Sequence, residues 1–235
     1  MLLREVVNTY ELHYGKESLK TIVVTIEWTE LLHDSLKTEE GYIVSQEVIA
    51  RCESQLPPHH RVTLSAKLVM AHLLLRLENY GEAEELARYL KQKFLETEGS
   101  YSGNALDMSR IEASSLRKQE KYYVGEKVQR EVVENTKRVT GENSEQTLNE
   151  RLQYADVLAL SRQYEKAAEE MKDVSAKSCQ YLSPFHELSY QTRFMYGMFL
   201  CYSEKVEEGA LQMNEVVKEQ EQKYGPHDYR VSQNK

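Results

Sequence analysis

A step of 42 residues runs through this chain and constrains its fold more than any other feature. The phrases around Tyr80, Tyr122 and Tyr164 look alike, and these tyrosines stand 42 residues apart. The step extends in both directions without insertion or deletion. One column reads Leu32, Leu74, Leu116, Leu158 and Leu200. Two columns of small residues read Gly41, Ala83, Gly125, Ala167, Gly209 and Thr29, Ala71, Ala113, Ala155, Gly197. A fourth reads Val48, Leu90, Val132, Val174 and Val216. Gly15, Gly99, Gly141 and Gly225 mark a recurring turn, with Pro57 and Ser183 in the two gaps. Leucine is about one residue in ten of ordinary proteins, so five leucines in register are not chance. A fixed period of this length is the signature of stacked repeats.

Each period reads as two helices. A short polar stretch follows each turn, as in Gly141-Glu142-Asn143-Ser144, and its Ser, Asn or Asp can cap the helix after it. The clearest first helix is expected from roughly 145 to 161, with Leu148, Leu152, Ala155 and Leu158 at helical spacing. A break is expected around Arg162-Gln163-Tyr164. The second helix then starts near Glu165 and carries Ala167, Ala168, Met171 and Val174. Two antiparallel helices that cross closely need small residues at the crossing. Glycine costs up to about 1 kcal/mol of helix propensity, so its use at 41, 125, 197 and 209 points to close packing. The Leu and Val columns fill the space between hairpins.

Composition excludes several alternatives. The chain has 10 Gly and 4 Pro in 235 residues, too few for an all-β fold with its many turns. Its net charge of -8 argues against nucleic acid or an anionic membrane as main partner. Cys52, Cys179 and Cys201 are odd in number and fit no disulfide framework or zinc motif, which implies reduced thiols. The N-terminus lacks the apolar stretch of a signal peptide, and no apolar run is long enough to cross a bilayer. A cytoplasmic protein is expected. No phosphate-binding loop, dinucleotide fingerprint, HExxH or nucleophile elbow is present, so no catalytic residue, metal or cofactor is assigned.

The columns resemble the tetratricopeptide repeat. Its small residue in the first helix matches Ala71, Ala113, Ala155 and Gly197; its turn aromatic matches Tyr80, Tyr122 and Tyr164; its second small residue matches Ala83, Gly125 and Ala167. The 42-residue length is similar to the kinesin light chain type, as are the turns Tyr14-Gly15-Lys16-Glu17-Ser18 and Tyr224-Gly225-Pro226-His227-Asp228. The resemblance implies an all-α, right-handed α-solenoid of antiparallel helix pairs over residues 1–235. Five full repeats span 15–56, 57–98, 99–140, 141–182 and 183–224, with partial repeats at 1–14 and 225–235. The first repeat departs from the pattern with Thr29 and Thr38, the fifth with Val206. The asparagine ladder by which kinesin light chains hold a peptide backbone is absent.

In such arrays the first helices line the concave face. Alignment places His72, Arg76, Arg110, Arg117 and Lys118 on it from the second and third repeats. Leu152, Asp156, Leu160, Phe194, Met198 and Tyr202 follow from the fourth and fifth. A basic stretch next to an apolar one suits a peptide with acidic residues beside a large apolar anchor. The bland reading is a solvated charged face and aromatics packed on neighbouring helices. Trp28 reads as packing, His59-His60 as a solvated loop, and His186 and His227 as turn histidines with a structural hydrogen bond. The function implied is a non-enzymatic protein-interaction scaffold. The alternative is a regulatory region of a larger signalling or transcription-control protein.

Overall fold

The computed structural model describes residues 2–225 and 228, apart from the side chain of Leu2. The expected turn histidine His227 lies outside them. Among the described residues there are eleven α-helices: α1 Leu2–Tyr14, α2 Leu19–Asp34, α3 Thr38–Gln55, α4 Arg61–Arg76, α5 Tyr80–Glu98, α6 Gly103–Lys118, α7 Tyr122–Thr140, α8 Glu145–Leu160, α9 Tyr164–Tyr181, α10 Glu187–Tyr202 and α11 Val206–Tyr224. The first helices begin at 19, 61, 103, 145 and 187, and the second helices at 38, 80, 122, 164 and 206. Both series keep the 42-residue step. None of these helices is long and apolar enough to cross a membrane.

The chain divides into two compact units, Met1–Glu120 and Lys121–Lys235. In the first, α1 to α6 pack each on the next in sequence, and α2, α4 and α6 also pack one on another. In the second, α7 to α11 do the same, with α8 also on α10. Each unit is thus a stack of antiparallel helix pairs in which successive first helices are neighbours.

Two kinds of turn repeat. Between helix pairs the chain passes through Gly15, Gly99, Gly141 and Gly225 at φ between 81° and 93°, where an L side chain is strained. Within each pair the left-handed residue is not glycine: Leu36, Glu78, Glu120, Arg162 and Glu204 all stand at φ between 59° and 69°. Four of these show one hydrogen-bond pattern. The Arg162 N–H donates to the Ala159 carbonyl at 2.8 Å and the Gln163 N–H to the Leu158 carbonyl at 2.9 Å. Asn79 and Leu74, Lys37 and Leu32, and Lys205 and Leu200 repeat the longer bond at 2.9 Å. This is the Schellman closure of a helix C-terminus. The leucine column therefore works through both of its ends: its side chains are buried and its carbonyls hold the turn.

The small and branched columns form the core. Val48, Leu90, Val132, Val174 and Val216 are all 1 % exposed or less. Ala83 and Ala167 are wholly buried, as are Ala71 and Ala155. Thr29, the polar member of its column, is buried too. Its hydroxyl donates to the Thr25 carbonyl at 2.8 Å, so this buried hydroxyl is paired.

Helix starts are capped by more than serine. Ser102 and Ser144 accept from the N–H groups of Ala105 and Thr147 at 3.0 and 3.2 Å. At the same repeat position stand His60 and His186, whose Nδ1 atoms accept from Val62 and Leu188, both at 3.3 Å. His60 is thus the N-cap of α4, which corrects its reading as part of a solvated loop. His186 makes the structural bond expected of it.

Candidate functional site

The residues that the repeat alignment singled out lie on the first helices α4, α6, α8 and α10. In the first unit they are not a simple basic patch. The His72 Nε2 stands 2.7 Å from the Asp107 Oδ2, which ties α4 to α6. The His72 ring lies edge-on to His33, with centroids 5.5 Å apart. His33 Nδ1 in turn stands 3.1 Å from the Asp34 carboxylate. Arg76 donates to the His33 carbonyl across α2 and α4. Glu30, on α2, has its carboxyl pushed above the usual range by burial and by Glu27 and Asp34, with His72 opposing. Carboxylates from α2 and α6 therefore interleave with His72 and Arg76 of α4. Sequence alignment missed this because Asp107 and His72 belong to different repeat columns. Arg110 and Arg117 are half-buried on α6, and Lys118 is exposed at its end.

In the second unit the expected apolar stretch separates into core and surface. Leu152 is 2 % exposed and lies in the core with Leu148, Leu158, Leu188 and Phe199. Its assignment to a peptide-binding face is corrected: α10 packs on α8 and closes over it. Met198 is partly buried and packs on the same core. Leu160 and Tyr202 remain 41 % and 55 % exposed. The Tyr202 ring stands 5.3 Å from that of Tyr164, which begins α9. Phe194 and Asp156 are half-buried. Phe194, Met198 and Tyr202 recur at four-residue spacing, so they share one side of α10.

Ion pairs dominate the cleft between α7, α8 and α9. Arg151 of α8 reaches Glu170 and Asp173 of α9 at 2.6 and 2.7 Å. Lys177 bridges Asp173 and Glu142 at 2.9 and 3.0 Å. These surround a cleft of about 420 Å³ lined also by Arg130, Tyr154 and Lys137. Nearly every cation there is matched by a carboxylate, so the cluster stitches helices together. Among the described residues no group of three or more His, Cys, Asp or Glu side chains is placed to hold a metal ion. Cys52 is wholly buried, and burial pushes its thiol up, which makes it a core residue and a poor nucleophile.

No family model matches the chain, and no curated protein matches it. Solved structures do. A Podosopora anserina putative kinesin light chain with nearly identical TPR-like repeats aligns with a TM-score of 0.76 at 15% identity, over 85% of this chain and 95% of that one. BtubC (BKLC) from P. vanneervenii aligns at 0.74 and 14% identity, over 95% and 89%. YrrB, described as a TPR protein with an unusual peptide-binding site, aligns at 0.58 and 14% identity, over 99% and 97%. The fold is the tetratricopeptide-like helical repeat.

Proposed function

We propose that this chain is a protein-interaction scaffold that takes a peptide or partner segment along its first-helix face. The observation that carries the reading is the state of that face. The core columns are saturated, yet in the first unit Lys118 stays exposed with Arg110 and Arg117 half-buried, and in the second Leu160 and Tyr202 stay exposed with Phe194 half-buried. A polar and aromatic surface on a helical frame suits recognition: aromatic side chains supply contact area and arginine forks take carboxylates. The described peptide-binding site of YrrB, a protein of the same fold, supports the reading.

The ligand suggested is a peptide with acidic residues beside a large apolar one. Fluorescence anisotropy with labelled peptides of this kind tests it. Tyr202→Ala should weaken an apolar-anchored peptide, and Arg117→Glu with Lys118→Glu an acidic one, each by about tenfold, the scale of a truncated hot spot. Equal affinity of the charge-reversed protein for the acidic peptide would refute that part of the site.

A further inference from the structure

The first helices of the first unit carry a cluster whose charge depends on protons. His33 lies in the last turn of α2 and His72 on α4, and their rings meet edge-on with centroids 5.5 Å apart. Each ring has a carboxylate of its own: Asp34 for His33 at 3.1 Å, and Asp107 of α6 for His72 at 2.7 Å. Glu30 holds the same repeat position on α2 as His72 on α4. Its carboxyl is raised by burial, by Glu27 and by Asp34, and His72 opposes the rise. Arg76 donates to the His33 carbonyl, and Arg110 stands one turn beyond Asp107 on α6. Glu27, Glu30, Asp34 and Asp107 are thus set against two guanidiniums and two imidazole rings.

While both rings are neutral, the carboxylates outnumber the guanidiniums. Histidine is the side chain whose ordinary charge change falls between about pH 5 and 8. Each proton taken up by a ring or by Glu30 makes the cluster less anionic. A ligand can reach it: the side chains of His33, His72 and Asp107 keep 24 %, 30 % and 33 % of their surface. The cluster also adjoins the basic end of α6. His33 and Arg117 share one repeat position, Arg76 and Lys118 another, and α4 packs on both α2 and α6.

We propose that the His33–His72 cluster makes the first helices of the first unit a proton-dependent receptor for acidic peptides, binding them more tightly as pH falls from about 8 to about 5.5. It rests on the reading of the first-helix face as a peptide site, and adds the condition under which that site takes its ligand. With the rings neutral, Glu30, Asp34 and Asp107 repel an incoming carboxylate. With the rings charged, those carboxylates are balanced and the field of Arg76, Arg117 and Lys118 reaches the ligand. Linkage is reciprocal: a peptide that prefers the protonated face draws protons onto it, so binding within this range takes up protons.

The probe is a rhodamine-labelled peptide of aspartates around one leucine, whose carboxyls stay ionised over the range because aspartate titrates near about 3.9. Anisotropy titrations of the full chain at constant ionic strength should show its Kd falling about five- to tenfold between about pH 8 and about pH 5.5, the scale of a few surface charge pairs. Calorimetry in two buffers of different ionisation enthalpy should show proton uptake on binding. His33→Gln with His72→Gln keeps polar side chains at both places, and should leave a change of about twofold or less and little proton uptake. His59→Gln, in the turn before α4 and outside the cluster, should keep the parent's dependence. Circular dichroism at both ends of the range checks that the variants fold, and proton uptake by the parent tests the idea without them. A parent Kd that does not fall on acidification, binding without proton uptake, or an undiminished dependence in the double variant would each overturn the proton-dependent receptor and leave the peptide site standing. Absence of binding at every pH would overturn both.

Discussion

Gly197 and Gly209 meet backbone to backbone where α10 crosses α11. A Cβ on Gly197 would stand 2.8 Å from the Gly209 carbonyl oxygen; one on Gly209 would press still closer on the Gly197 carbonyl and would stand 2.9 Å from the Cys201 backbone nitrogen. The two small-residue columns of the sequence converge at this point. The same pair is Ala71 with Ala83, and Ala155 with Ala167, in other repeats. Only the last helix pair removes both side chains.

Gly209→Ala and Gly197→Ala should therefore each be destabilising, by about 1–3 kcal/mol or more, since backbone atoms cannot step aside as side chains do. Gly41→Ala makes the contrast. Its new methyl would meet side-chain atoms of Leu73 and Leu32 at 3.1 and 3.3 Å, which can shift by tenths of an ångström. Chemical denaturation should rank Gly41→Ala as the mildest. A Gly209→Ala protein with parental stability would contradict the crossing.

The left-handed turn residues can be tested by exchange. Glu78 and Arg162 hold φ of 60°, a conformation that costs L residues roughly 1–2 kcal/mol. Glycine relieves this cost but gives back about 0.5–1 kcal/mol of chain entropy. Glu78→Gly should thus raise stability by up to about 1 kcal/mol. Glu78→Val should lower it, because a β-branched residue is least tolerant of this region. Urea titration of the pair reads the sign of each change.

His186 caps α10 through its Nδ1. His186→Asn keeps an acceptor at the cap and should be near neutral. His186→Leu leaves the Leu188 N–H unpaired and should cost about 1 kcal/mol. A leucine variant as stable as the asparagine one in thermal unfolding would show that the bond contributes nothing.

Arg193 and Glu219 join α10 to α11 through two hydrogen bonds of 2.6 and 2.8 Å. The bond from Arg193 holds the Glu219 carboxyl below the usual range. A depressed carboxyl stabilises the fold fully above the ordinary glutamate value, about 4.3, and loses that contribution as pH falls through its lowered value. Melting temperature followed from neutral pH downward should fall more steeply in the parent than in Glu219→Gln, with the difference confined to the acidic end. Parallel profiles would show that the pair does not couple to folding.

Much of the architecture is legible in the sequence because a helix and a repeat both leave periodic traces. The step set by Tyr80, Tyr122 and Tyr164 places every second helix from α3 onward, and those tyrosines are the first residues of α5, α7 and α9. The helix expected at about 145–161 ends at Leu160, and its successor begins at Tyr164. Small residues at 197 and 209 disclose a crossing because only close backbones require them.

What the tertiary structure decided is which members of a column meet solvent. Leu152 and Phe194 are one period apart, yet the first is core and the second half-buried, because burial depends on the helix laid alongside and not on the residue itself. His72 and Asp107 pair across 35 residues, from columns that no alignment of repeats superimposes. Sequence period fixes where helices start and which way they face. Partnership between charges, and exposure along a stack, are properties of neighbours, and these exist only once the helices are packed.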